Sequence, residues 1–519
     1  MPKNGTHGNI LLEAVSSLAR LLSYIVIQQS SPRVECRQLV SAVRDCTRRG
    51  LQETTMKCTK AELLEALHDL VGDAGLKTSP ADLDTYGKDW TLVYKPSPVA
   101  IVLPADTDEV VALVKFAKRM EVPLVPSGGR TGLSGGAMAH SGEVVVAFDR
   151  MNKILDFDAS DRLVVCEPGV VTEQLQQFAE AEGLHYPVDF ASSGSSQLGG
   201  NVATNAGGIK VIRYGMTRNW VAGMKVVTGN GEVLSFNQGL AKNNTGYDFR
   251  HLFIGSEGTL GFIVELTMNL TSPPKDPAVM LLGVENMAAT MPVLQACQAK
   301  LPLTAFEFFS EKALAHVMAE KGLQRPFESA TSFYALVEFE NESDTDLETA
   351  MEVFEHCLES GWVIDGTVSQ NLTQAKNLWR LREDISETIS QFTPYKNDIS
   401  VRVSKVPEFL AEVDELIGKA YPDFEIIWFG HIGDGNVHLN ILKPANLAPE
   451  SFFEKCAEVS DWVFEIVQRH GGSISAEHGV GLLKKPYLHY SRSKAEIAAM
   501  RAIKAIFDPA NILNPGKLI

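Results

Sequence analysis

Cysteine is too scarce and too scattered in this chain to organise it. The seven residues, Cys36, Cys46, Cys58, Cys166, Cys297, Cys357 and Cys456, include no C-x-x-C pair and are odd in number, so reduced thiols in a cytosol-like compartment are expected rather than a disulfide framework. Positive charge is also in deficit. With 47 Lys and Arg against 64 Asp and Glu, the formal net charge is −17, which argues against binding nucleic acid or an anionic membrane through bulk electrostatics. An acidic chain that handles an anionic ligand must gather positive charge locally. Long apolar runs are missing too: the moderately apolar stretch 9–29 is broken by Glu13 and Arg20, and no transmembrane segment is expected. Internal repeats and low-complexity tracts are absent. What remains is a 519-residue globular composition, 45% hydrophobic and 21% charged, with enough apolar material for two or three cores.

Short hydrophobic strands alternate with amphipathic helices, an α+β pattern. Residues 1–58 read as a poorly ordered N-terminal extension; translation is even expected to begin at Met56, just before a helix capped by Thr59 with Glu62 three residues on. Glu143–Phe148 and Leu163–Cys166 read as strands. A helix capped by Thr107, with Asp108 and Glu109 in its first turn and Lys118-Arg119 in its last, leads into the strand-like Val122–Val125. Ser272-Pro273-Pro274-Lys275 ends the strand Phe262–Leu270 and serves as a linker, after which Val279–Val284 and Thr331–Phe339 suggest an antiparallel sheet. A final helix, Ser493–Phe507, closes at Asp508-Pro509. The expected division is 1–58, 59–275, 276–475 and 476–519, the last segment returning to the first large domain.

Two short runs carry metal chemistry. Phe429-Gly-His431-Ile-Gly-Asp434-Gly-Asn436-Val-His438-Leu-Asn440 and Ser475-Ala-Glu477-His478-Gly479 supply three imidazoles and carboxylates. These are the ligands a zinc-like ion takes when no thiolate is offered, and three of them leave a coordination position open. His431 can end one element while His438 sits on the strand Val437–Leu442, sharing a face with Asn440. The reading is a divalent ion on His431, His438 and Glu477, zinc first and manganese second, with His478 as the neighbouring proton acceptor. Either run alone reads more simply as structural histidines and a turn; together they point to a site.

Glycine is concentrated in three places. Pro126-Ser127-Gly128-Gly129-Arg130-Thr131-Gly132-Leu133-Ser134-Gly135-Gly136 fits neither G-x-G-x-x-G nor the P-loop, and no helix begins directly behind it, which excludes a Rossmann fingerprint. Consecutive backbone N–H groups on such a loop can still lie against a pyrophosphate. Ser193-Gly194, Gly199-Gly200-Asn201, Thr204-Asn205 and Gly207-Gly208 repeat the chemistry; Gly255-Ser256-Glu257-Gly258-Thr259-Leu260-Gly261 repeats it again, and Pro168-Gly169 adds a turn. Three such stretches imply one long ligand with two phosphates, a ribose, an adenine and a flat ring system.

These motifs, with Asn514-Pro-Gly-Lys517, resemble the FAD-linked oxidase family of the vanillyl-alcohol oxidase type, and within it the D-2-hydroxy-acid branch, from about Leu63 to Ile519. The resemblance implies a two-part, non-Rossmann FAD-binding domain and an antiparallel-sheet cap domain bearing metal and substrate groups. It places Asn514 at the cofactor with the glycine segments. It gives substrate binding to Arg382, Ser386 and Lys396, with Asn440 helping to orient the substrate. Read from the residues alone, Arg380–Asp384 is an ordinary salt-bridged helix face, although Arg382 and Ser386, four apart, would share one face of a helix and suit a carboxylate. The expected activity is metal-assisted oxidation of a D-2-hydroxy acid to the 2-oxo acid. D-2-hydroxyglutarate comes first, because Leu439-Asn440-Ile441 follows that branch, and D-lactate, D-malate or glycolate next. Electrons would pass to an electron-transfer flavoprotein or a quinone, in a cytoplasmic enzyme (mitochondrial if eukaryotic) that could pair as a homodimer. A metal-dependent hydrolase leaves the glycine stretches unexplained, and a non-catalytic flavin carrier leaves the metal and base residues unexplained. Covalent relatives place His where this chain has Arg130, so the FAD is expected to be non-covalent: acid precipitation should release the yellow colour into the supernatant, and colour retained in the pellet would contradict this.

Overall fold

The computed structural model describes residues 56–519 apart from 92 and 342. The extension expected over 1–58 lies outside the described residues except for its last three. From there the sequence signals act locally. Thr59 and Glu62 close a capping box and start the helix Lys60–Gly75. The helix Thr107–Met120 begins one residue earlier in register than expected: Asp106, not Thr107, is its cap, its carboxylate accepting the Glu109 N–H at 2.9 Å while Glu109 reaches back to Ala105 N at 2.7 Å. A carboxylate is the better acceptor at a positive helix end.

Three sheets follow in chain order. The first contains β1 (Leu76–Lys77), β2 (Ala100–Val102), β3 (Leu124–Ser127) and β4 (Val144–Ala147) in the order β1-β2-β4-β3. β2, β4 and β3 run parallel because the helix Thr107–Met120 carries the chain back between β2 and β3. The second is antiparallel: β5 (Ile154–Asp158), β6 (Leu163–Cys166), β7 (Val221–Thr228), β8 (Val233–Phe236) and β9 (Gly261–Asn269), ordered β5-β6-β9-β7-β8. Each glycine-rich stretch lies on a connection at or near the strand ends of these two sheets.

The third sheet, after the prolines at 273–274, is antiparallel throughout: β10 (Pro277–Val284), β11 (Leu303–Ser310), β12 (Phe333–Glu340), β13 (Asp365–Val368), β14 (Tyr395–Ser400), β15 (Glu425–His431) and β16 (Asn436–Leu442), ordered β13-β10-β12-β11-β15-β16-β14. One face is covered by the helices Thr290–Lys300, Asp344–Glu359, Val406–Ala420 and Pro449–Arg469, which pack on Phe306, Phe308, Ile399, Trp428, Val437, Leu439 and Ile441. Alternation then leaves no choice for the other face. Glu307, Lys396, Asp398, His431, His438 and Asn440 must point away from that core, together.

The C-terminal segment lies against the first sheet. Leu124 N donates to Ile512 O and Asn514 N to Leu124 O, both at 2.7 Å, and Ile512 and Leu513 join the core under β2–β4. A second tie crosses from the glycine-rich half to the cap: Lys210 pairs with the buried Glu338 of β12, whose other oxygen accepts Trp379 Nε1 at 2.7 Å. Among the described residues no helix is long and apolar enough to cross a membrane, and Cys58, Cys166, Cys297, Cys357 and Cys456 are free. Because Glu338→Ala would strand a largely enclosed ammonium and an indole N–H, it should lower the unfolding free energy by about 3–5 kcal/mol in urea titration; a change under about 0.5 kcal/mol would match an ordinary surface pair instead.

Candidate active site

The sheet face delivers most of the site and a loop delivers the rest. His431 ends β15, a turn through Asp434 reverses the chain, and His438 enters on β16, as the spacing predicts. Opposite them, residues 474–484 have no helix or strand of their own. They are held by Asp398 of β14. Its Oδ2 accepts the consecutive N–H groups of Ala476 (3.1 Å), Glu477 (3.0 Å) and His478 (2.9 Å), and its Oδ1 accepts Asn436 Nδ2 at 2.9 Å. Lys484 Nζ lies 3.5 Å from the same carboxylate. Burial opposes the Asp398 charge, but the attraction of His478, Lys484 and His438 outweighs it and holds the group well below the usual carboxylate range.

With the loop so held, Glu477 Oε1 sits among three imidazoles: 3.9 Å from His431 Nε2, 3.8 Å from His438 Nε2 and 3.7 Å from His478 Nε2. Ligand atoms around a tetrahedral zinc stand about 3.3–3.5 Å apart, so each imidazole is within a few tenths of an ångström of ligand spacing from Glu477, while the donors that all lie within 4.8 Å of one another are Asp398, His438, Glu477 and His478, without His431. The supporting shell is present as well. His431 Nδ1 is 2.7 Å from Glu307 Oε1, and Glu307 in turn meets Arg382 at 2.8 Å. Burial alone would push His431 down, yet Glu307 and Glu477 raise it to about 10. His438 is driven well below its usual range by burial and by the His431 charge. Among those four grouped donors, Asp398 is engaged by backbone N–H groups, which suits it to support rather than ligation.

The three glycine stretches converge. Gly128 approaches Gly200, a Cβ on Gly129 would collide with Ser195 and Ser196, and Gly208 packs on Asp189. A Cβ on Gly200, by contrast, meets nothing within 4 Å. Around this opening Ser127 Oγ, Gln197 Oε1 and Asn514 Oδ1 are buried without partners. Packed glycines behind, open glycines in front and unmatched polar atoms beside them fit an extended dinucleotide such as FAD. Gln197 was not legible in the sequence, since a lone glutamine before a Leu-Gly-Gly carries no pattern.

Several side chains expected at the cofactor are instead engaged by the protein. Arg130 bonds Gly128 O at 2.9 Å and stacks over Tyr86, Asn201 bonds Thr172 at 2.6 Å, and Thr204 bonds Gly200 O at 3.0 Å. Asn205 Oδ1 accepts Arg218 N at 3.1 Å. Ser134 donates to His478 O and Gly479 O, and Glu257 accepts from Val480 and Gly481. Asn514 Nδ2 donates to Gly136 O and Glu257 O. Pro168-Gly169 forms a turn whose Pro168 O accepts Gly199 N at 2.8 Å, with Ser193 and Gly194 in the turn before them.

The substrate group is partly rearranged. Arg382 and Ser386 do not share one helix: Leu372–Glu383 ends, and Ile385–Thr388 starts a new short helix that turns Ile385 and Ile389 into the core. Lys396 and Ser386 nevertheless meet, Nζ to Oγ at 3.0 Å. Arg382 lies over Phe429 with its Nε buried and unpartnered. Asn440 lies beside His438, its Nδ2 3.3 Å from His438 O.

Residues 98–237 match the FAD binding domain model and residues 273–518 the model of the FAD linked oxidases, C-terminal domain. The chain belongs to the FAD-linked oxidases. Within this family it is similar to the D-2-hydroxyglutarate dehydrogenase of Stutzerimonas stutzeri, 60% identical over 89% of this chain and 99% of that protein. It is 53% identical to that of Xanthomonas citri pv. viticola over 87% of this chain and 96% of that one. The mitochondrial D-2-hydroxyglutarate dehydrogenase of Arabidopsis thaliana is 36% identical over 87% of this chain and 80% of its own length. Solved structures share the fold: alkyldihydroxyacetonephosphate synthase with TM-score 0.69 at 20% identity, over 90% of this chain and 87% of that one, and p-cresol methylhydroxylase with 0.67 at 16%, over 88% and 97%. The α+β, vanillyl-alcohol-oxidase-type architecture expected from the sequence is therefore the one observed. Since the Gly200 Cβ position is open, Gly200→Val should fold with an unchanged circular dichroism spectrum and purify without flavin absorbance; a fully yellow variant would contradict the cradle assigned here.

Proposed function

We propose that this FAD-linked oxidase converts a D-2-hydroxy acid, D-2-hydroxyglutarate first, to the 2-oxo acid with non-covalent FAD. The observation that carries the reading is Glu477 Oε1 ringed by three imidazole nitrogens at 3.7–3.9 Å on the face of the cap sheet. The names of relatives at 53–60% identity support it. When bound, FAD supplies the hydride acceptor and a divalent ion, zinc first and manganese second, supplies a Lewis acid for the substrate oxygen. His431, His438 and Glu477 would hold the ion, with Glu307 fixing the ring of His431 from behind.

His478 is the proton acceptor. Its Nε2 is as near Glu477 as the two ligand histidines are, yet its side chain is the more exposed, at 23% against 8% and 11%. It can therefore take the 2-hydroxyl proton at Nε2 as the hydride leaves carbon 2. Lys396, beside Ser386, supplies local positive charge that a chain of net charge −17 needs to hold a dianion, and Arg382, although paired with Glu307, offers its unpartnered Nε. Two cationic side chains suit a substrate with two carboxylates better than lactate or glycolate. Asn440 orients the bound acid. An electron-transfer flavoprotein or a quinone would then reoxidise the flavin, in the cytoplasm, or in mitochondria if eukaryotic.

Anaerobic mixing of holoprotein with D- and L-2-hydroxy acids tests the reading: D-2-hydroxyglutarate should bleach the flavin and its L-enantiomer should not. Bleaching by neither sinks it. His478→Ala should keep flavin and metal but lose about 10²–10⁴ in the rate of bleaching, whereas His431→Ala should lose metal and turnover together. Glu307→Gln should weaken metal binding by about 10- to 100-fold in a chelator competition, and unchanged affinity would show that it does not support His431.

A further inference from the structure

The loop that carries Glu477 and His478 is gripped from both halves of the molecule. Asp398 holds Ala476–His478 from the cap side, and Glu257, on the third glycine stretch, holds the next turn. Glu257 Oε1 accepts Val480 N at 2.7 Å and Oε2 accepts Gly481 N at 2.8 Å, so both oxygens are engaged and the side chain is buried. The fit is close. A Cβ on Gly479 would lie 3.0 Å from Glu257 Oε1, and one on Gly481 would strike Ser134 O. Glu257 itself adopts φ 51°, a left-handed conformation uncommon for a residue with a side chain, as do Gly479 (81°) and Gly481 (51°) across from it. Ser134 Oγ lies 2.9 Å from both His478 O and Gly479 O and shares its one proton between them, and Asn514 Nδ2 fastens Glu257 O to Gly136 O. Lys484 lies within the field of Asp398, Glu257 and Glu477.

We propose that Glu257 is a positioning residue for the oxidation: its carboxylate locks the Val480–Gly481 peptide to the glycine loops and so fixes His478 between the cofactor cradle and the histidines of the cap. This rests on the reading of His478 as proton acceptor. Each Glu257 oxygen already accepts a loop N–H, which assigns the side chain to the loop rather than to the cofactor. Replacing one oxygen by an amide would set an N–H against a backbone N–H and let the loop drift, and a drift of about 1 Å costs about 100-fold in rate.

The FAD-loaded full chain and its Glu257→Gln variant decide the matter by hydrogen exchange and anaerobic flavin reduction. The variant should retain FAD and metal, exchange the amides of residues 476–481 at least about tenfold faster, and reduce its flavin about 10- to 100-fold more slowly with the same dependence on D-2-hydroxyglutarate concentration. Unchanged exchange overturns the proposal, and so does loss of FAD, which would make Glu257 a cofactor residue. Wild-type flavin that D-2-hydroxyglutarate leaves oxidised would defeat the functional reading alone, with exchange still deciding the role of Glu257. Should Glu257→Gln fail to fold, Ser134→Ala removes the neighbouring clamp, and the same two measurements apply with the same expected directions.

Discussion

Two candidate site side chains, Glu477 and His478, ride on a segment with no ladder of backbone hydrogen bonds to hold it. The rest of the site depends on replacing that ladder. Asp398 does so by accepting three consecutive peptide N–H groups in a place where water cannot compete, with the Lys484 ammonium 3.5 Å away favouring its charge. A buried carboxylate with so many donors is stable only while all of them stay in place. That requirement couples the loop to β14, to Asn436 at the start of β16 and to Lys484 at once.

Much of this was open to sequence reasoning because a strand has a period of two. Val437, Leu439 and Ile441 announce a buried face, so His438 and Asn440 had to share the other, and the turn before them set His431 beside them. Glycine content exposed the cradle for a similar reason: close approach of backbone to ligand permits few other residues. Asp398 and Glu307 remained hidden. Each is a single acid in an otherwise ordinary strand, and their significance arises only from neighbours far away in sequence, such as Ala476 for one and Arg382 for the other. The separation of Arg382 from Ser386 was hidden too, since the break at Asp384 follows from where Ile385 and Ile389 must be buried.

Glu257 belongs to a motif legible in the sequence, but its side chain turns to the protein. Glycine, serine and glutamate in one short loop suggest ligand contact, yet the carboxylate closes on protein N–H groups and the glycines let two loops interlock. Ser134 follows the same logic, whereas Asn514 divides its amide, with Nδ2 on Gly136 O and Glu257 O and Oδ1 left unmatched. The glycine-rich half therefore does two jobs with one set of residues, shaping an opening on one side and gripping the loop of Glu477 and His478 on the other.

The central claim is that His431, His438 and Glu477 form one cation site facing the cradle. Anomalous diffraction from crystals of zinc- or manganese-loaded holoprotein, collected either side of the metal edge, tests it most directly. The account predicts one strong peak about 2.0–2.2 Å from His431 Nε2, His438 Nε2 and a Glu477 oxygen, with its open side toward the glycine loops. A fully loaded crystal with no peak there, or with the ion bound through Asp398 instead, would contradict it.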